Sequence, residues 1–144
     1  MGTVSVPRCL VIFDGLNYRD WFQHMRLHMR GQRLWELLTG ELPCPPRPAP
    51  PVEHVLPKDA SEDAHTKASE VFEDAMETFQ TQYAAYKTWI DEDARASAIL
   101  VASMEVQFTG DVVGLASAQL MWTHLRNRYE PSGDSLYLSV VRQE

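Results

Sequence analysis

The chain has 144 residues, 44% of them hydrophobic and 23% charged, with a formal net charge of −7 and a pI near 5.2. That length suits one domain with one core, and the composition is that of a globular protein, not of a disordered or membrane-embedded one. The negative charge repels phosphate backbones at long range and argues against this segment as a main nucleic-acid binder.

The start, Met1 to Arg8, lacks the basic-then-apolar order of a secretory signal, and no apolar run approaches the roughly 20 residues that span a bilayer. A cytoplasmic protein without membrane contact is expected. Its two cysteines, Cys9 and Cys44, have no CxxC spacing and no further cysteine partners, so reduced thiols are expected and no structural zinc site. The neighbouring Arg8 would lower the Cys9 thiol pKa slightly.

In chain order, residues 1–16 are an apolar N-terminal arm, read as extended or as a brief strand packed on the domain, that includes Leu10, Val11, Ile12 and Phe13 and is closed by an Asp14-Gly15 turn. Asn17 is the expected N-cap of a first helix, with Asp20 in its first turn and Leu16 stapled to Trp21. Tyr18, Trp21, Phe22, Met25 and Met29 share one side of that helix, Arg19, Gln23, Arg26 and Arg30 the other, and Gly31 is the expected stop. A short helix through Leu34, Trp35, Leu37 and Leu38 ends at Thr39-Gly40.

Most of the prolines fall in residues 42–57, which are read as an exposed, polyproline-like loop. From Ala60-Ser61-Glu62-Asp63 a long helix begins, with Phe72, Met76, Phe79, Tyr83, Tyr86 and Ile90 spaced alternately by four and three residues. Such a heptad seam packs either inside the domain or against a second copy. After Trp89-Ile90 the helix continues or kinks at Asp91-Glu92-Asp93, read as a solvated bend, and proceeds through Ile99, Leu100 and Val101 into Met104.

A break at Phe108 to Asp111 precedes a helix from about Ala116 to Tyr129, with Ala118, Trp122, Leu125 and Tyr129 on one stripe. Pro131-Ser132-Gly133 then turns the chain into a last helix, capped by Asp134 or Ser135 and cut at Glu144, as in a fragment of something longer. The prediction is an all-α, orthogonal or irregular bundle of about five helices, with a helical domain over residues 17–130 and the start of a truncated last helix over 131–144, and with Trp21, Met25, Trp35, Leu38, Ile99, Trp122 and Leu125 in the core.

Charge is segregated along the chain. Arg19, Arg26, Arg30 and Arg33, with His24 and His28 among them, make an early basic stretch, while Glu53, Asp59, Glu62, Asp63, Glu70, Glu73, Asp74 and Glu77 make the middle acidic, so attraction between the two stretches is expected, within one molecule or between two. His24 and His28 lie four apart but lack the His-Glu-x-x-His pattern and read as surface or core-edge residues. No nucleophile elbow, phosphate cradle or acid–base constellation is recognisable, so neither an enzyme nor a cofactor is expected.

The order Phe13-Asp14-Gly15-Leu16-Asn17-Tyr18-Arg19-Asp20-Trp21, then Leu34-Trp35-Glu36-Leu37-Leu38-Thr39-Gly40, resembles the opening of Gag proteins of copia-type LTR retrotransposons. Trp89 to Ala96 and Met121 to Tyr129 follow in the same order as that family's later elements, and Pro131 to Glu144 looks like the grass members. The resemblance implies a capsid-N-terminal-like fold and self-association into a shell that encloses element RNA, with RNA held mainly by regions outside this chain. A domesticated Gag-like host adaptor, meeting another protein through the loop at 42–57, is the alternative. Phe72, Met76, Phe79, Tyr83 and Tyr86 are the candidate self-association surface.

Overall fold

A computed structural model describes residues 6–131, and among these it is all-α, with four helices. They are α1 (Tyr18–Gly31), α2 (Trp35–Thr39), α3 (Glu62–Ala102) and α4 (Ala118–Tyr129), with a 3-10 turn at Val106–Phe108. The expected fifth helix after Pro131 lies outside the described residues. The chain divides into two compact units, one made of Met1–Pro43 with Glu92–Glu144, the other of Cys44–Asp91. α3 contributes residues to both, and its helical hydrogen bonding continues through the acidic triplet.

In the first unit the fully buried Phe13 is the centre of an aromatic cluster. Its ring lies 4.7 Å from Tyr129, 5.2 Å from both Trp21 and Phe108, and 6.5 Å from Tyr18. Edge-to-face and tilted geometries of this kind add to the burial gain, because each ring sets a positive edge against a negative face. A second group continues from Trp21, where Trp122 stands 5.6 Å away and stacks in turn on Phe22 at 5.5 Å. Trp21, Met25, Leu34, Leu38, Ile99, Trp122 and Leu125 are all buried, whereas Trp35 and Tyr129 are half-buried.

The N-terminal arm is held by main-chain and side-chain bonds to the residues just after α3. The Phe13 amide donates to the Ser103 carbonyl (2.9 Å), the Glu105 amide donates to Phe13 O (2.9 Å), and Phe13 and Met104 form an isolated parallel bridge. The Trp21 indole Nε1 donates to the same Ser103 carbonyl at 3.2 Å, and the Cys9 amide donates to Ser103 Oγ at 2.8 Å. Ser103 is itself fully buried. Gly15, at φ +88°, makes the turn that follows, and a Cβ there would run into the Phe108 ring.

Two local expectations are corrected. Asn17 stands at the N-cap of α1, but its side chain makes no capping bond; it accepts from the Asp14 amide (3.0 Å) and donates to Ile12 O (2.8 Å), so it braces the turn instead of the helix. Leu16 is 96% exposed and cannot staple to the fully buried Trp21. α1 ends at Gly31 as expected, but the left-handed conformation that closes it falls on Arg33 (φ 62°), with Leu34 N–H donating to Met29 O and Arg33 N–H to Arg30 O, the bond pair of a Schellman motif. Leu34 and Met29, the two positions at which such a motif commonly carries apolar residues, are both fully buried. Gly40, in contrast, does end α2 at φ 89°.

α4 begins at Ser117, whose hydroxyl accepts from the Leu120 amide (3.2 Å). The carboxylate of Asp93 accepts from the Ala118 amide (2.9 Å), so this residue is no solvated bend: it satisfies a free N–H at the positive end of α4. Arg95 Nη2 donates to Gln32 O (3.1 Å), which joins the same stretch of α3 to the end of α1.

A non-glycine residue in the left-handed region costs about 1–2 kcal/mol. Because Arg33 is exposed, Arg33→Gly is expected to raise stability by about 0.5–1 kcal/mol, part of the relief being offset by unfolded-state entropy. Chemical denaturation of both proteins checks this, and an unchanged or lower midpoint would show that the Schellman turn is not strained.

Candidate interaction surfaces

Among the described residues no group of three or more His, Cys, Asp or Glu side chains is placed to hold a metal. His24 and His28 turn to different partners: His24 Nδ1 lies 2.9 Å from Asp20 O, and His28 Nε2 lies 3.3 Å from Pro7 O. Cys9 is buried, and burial pushes its thiol pKa up, the reverse of the shift expected from Arg8. Cys44 is exposed. No helix among the described residues is long and apolar enough to cross a membrane.

The outer side of α1 is one of the two surfaces that stand out. Met25, Met29 and Trp21 face inward, which turns Arg19, Gln23, Arg26 and Arg30 outward by helical periodicity. The Arg26 guanidinium rests 5.9 Å from the Trp35 ring centroid, a cation–π distance. Beside it lies a cleft of about 350 Å³ lined by Arg30, Arg33, Trp35 and Glu36. A second cleft, of about 330 Å³, has Tyr18, Arg19, Phe22, Arg26 and Glu130 among its walls.

Tyr18 is buried, and its hydroxyl has no hydrogen-bond partner among the described residues. Burial first, and the Glu130 charge second, push its pKa up to about 12, against an opposing pull from Arg126. The phenol gains a negative charge on ionising, so the folded state holds the proton more tightly than the unfolded chain. The resulting stability is complete below the unfolded value of 10.0 and is lost as pH rises toward about 12.

The other surface belongs to the second unit. Ser61 caps α3, its hydroxyl accepting from the Ala64 amide at 3.1 Å. The preceding segment, residues 44–57, has neither helix nor strand, and it meets α3 where Glu53, His54 and Leu56 line a small cleft with His65, Ala68 and Ser69. Beyond that cleft the seam runs on with partial cover. Phe72, Met76, Phe79 and Tyr86 are half-buried, Tyr83 is 37% exposed, and Trp89 at the end of the unit is half-buried. Phe79 stacks on Tyr83 at 5.7 Å, and Tyr83 meets Tyr86 at 6.3 Å.

At 3.6 residues per turn, the acidic side chains Glu70, Glu73, Asp74 and Glu77 centre roughly 150° around α3 from this seam. All four are exposed. α3 is thus aromatic on one side and anionic on the other.

The heptad spacing identified the seam and the alternation on α1 identified the arginine face. Sequence reasoning missed Ser103, the docking of Asp93 on α4, and the buried Cys9, Ala96 and Val112. Small or polar residues carry no periodic signal, and the expected break at Phe108 to Asp111 lies beyond the observed end of α3 at Ala102.

No protein-family model, curated protein or solved structure matches the chain.

Tyr18→Phe removes an unpartnered buried hydroxyl and should leave the protein at least as stable at pH 7. It should also flatten the decline in stability between about pH 10 and pH 12. Denaturation midpoints of the two proteins across that range check both points; parallel curves would mean that Tyr18 is not the group responsible.

Proposed function

We propose that the chain is a non-enzymatic self-association domain of the Gag capsid type, which builds a shell from repeated weak contacts between copies. The observation that supports this most is the aromatic seam on α3. Phe79, Tyr83 and Tyr86 form a contiguous ring ladder at heptad spacing, and Tyr83 leaves 37% of its surface to solvent. A ladder of that register fits the corresponding ladder of a second copy, knobs into holes, and covering it gains roughly 25 cal/mol per Å² of apolar surface. Contacts of modest area become stable when several operate together, which is the requirement of a particle that must both form and come apart.

The resemblance of the Phe13 to Trp21 and Leu34 to Gly40 stretches to copia-type Gag proteins supports the same reading. The buried Phe13 and Trp21 and the positive φ of Gly15 give those motif positions structural work that is independent of any catalytic role. RNA in such a shell would be bound mainly by segments outside this chain. A second reading, a Gag-like adaptor for another host protein, draws on the proline-rich stretch, where Val52 and Val55 are 85% and 93% exposed.

Sedimentation of the 144-residue chain over a range of concentrations tests the first reading. Reversible growth in mass is expected, and Phe79→Glu with Tyr83→Glu should weaken it by about tenfold or more while the melting temperature changes little, since charges placed in an apolar interface have no partner there. A chain that stays monomeric throughout contradicts self-association. Association that ignores the double substitution places the contact elsewhere.

A further inference from the structure

The segregation of charge has a structural form that the seam does not use. Arg19, Arg26 and Arg30 make an exposed stripe on α1, extended by Arg33 just after it, and Arg19 to Arg30 spans roughly 16 Å at 1.5 Å per residue. Glu70, Glu73, Asp74 and Glu77 make an exposed stripe on α3 of roughly 10 Å by the same measure. The ion pairs found among the described residues are His24–Asp20, Lys67–Asp63 and Arg126–Glu130, and none involves either stripe. The second unit as a whole carries nine acidic and four basic residues.

We infer that the arginine stripe of one copy docks on the acidic stripe of α3 in another copy. This rests on the proposed self-association and specifies a second contact for it. The two stripes are of opposite sign, the roughly 10 Å acidic one is short enough to be covered within the roughly 16 Å arginine one, each lies on one helical face, and arginine forks pair well with carboxylates. A contact between two different patches is head-to-tail and does not close on itself, whereas the aromatic seam pairs with its own copy. The acidic stripe lies about 150° around α3 from the seam, so one helix engages two neighbours at once, and a chain with both contacts propagates.

The test is a charge swap in the full chain, read by sedimentation and light scattering. Arg26→Glu with Arg30→Glu, and separately Glu73→Lys with Glu77→Lys, should each weaken higher-order association by roughly tenfold, and an equimolar mixture of the two variants should recover it. The lysine variant is the sharper of the two, because it lowers the net negative charge and would strengthen association if only overall repulsion mattered. Arg47→Glu with Lys58→Glu, which changes net charge as much as the arginine variant does, should have little effect. The unchanged protein should associate less at about 500 mM salt than at about 50 mM.

Association by the unchanged chain that neither charge variant reduces overturns this contact and leaves the seam reading intact; a monomeric unchanged chain overturns both. Loss of binding to a labelled single-stranded RNA in the arginine variant, with association unaltered, would make the stripe a nucleic-acid contact and also overturn the inference.

Discussion

The first unit depends on one buried residue at the place where α3 runs out of helical partners. A helix end leaves carbonyls that its own backbone cannot satisfy. Here the free carbonyl of Ser103 takes both the Phe13 amide and the Trp21 indole, and its hydroxyl takes the Cys9 amide. A hydrogen bond of this sort contributes about 1 kcal/mol net, but a buried donor left without a partner costs about 1–3 kcal/mol. Displacing this turn would therefore strand three donors at once, and it would pull Phe13 out of the ring cluster that it centres.

Segments far apart in sequence are in this way brought to one point, and the remaining bonds follow from that meeting. With the end of α3 fixed, Asp93 one way reaches the N-terminus of α4 and Arg95 another way reaches the carbonyl of Gln32. Ala96 and Ala118, close to these bonds in sequence, are both fully buried. The core is rich in rings and sulfur, and its interior is occupied by packing. The chemistry that remains available lies outside it, on the arginine face of α1 and on the aromatic and anionic sides of α3.

Much of this was legible from periodicity. The stripes containing Trp21 and Met25, Leu37 and Leu38, Ile99, and Trp122 and Leu125 are buried as their spacing requires. Helix ends were less legible, because they are decided by competition between neighbours. Asn17 has the side chain of a cap yet serves the preceding turn, where Gly15 has already fixed the geometry. α1 does end at Gly31, but the left-handed residue that closes it is Arg33, where the Leu34 amide reaches Met29 O. Ser103 was invisible for a related reason: its role depends on partners 82 and 94 residues away, and no local pattern encodes them. The seam was legible as a pattern, whereas how much of it the chain itself covers needed the structure.

The proposed self-association requires that the α3 seam, half-exposed in the single chain, be covered by another copy. Amide hydrogen exchange measured on dilute and on concentrated protein tests it most directly. The account predicts slow exchange of the Phe13 and Glu105 amides at both concentrations, with the amides of residues 72–86 slowing only as concentration rises. Exchange in residues 72–86 that is the same at every concentration would contradict it.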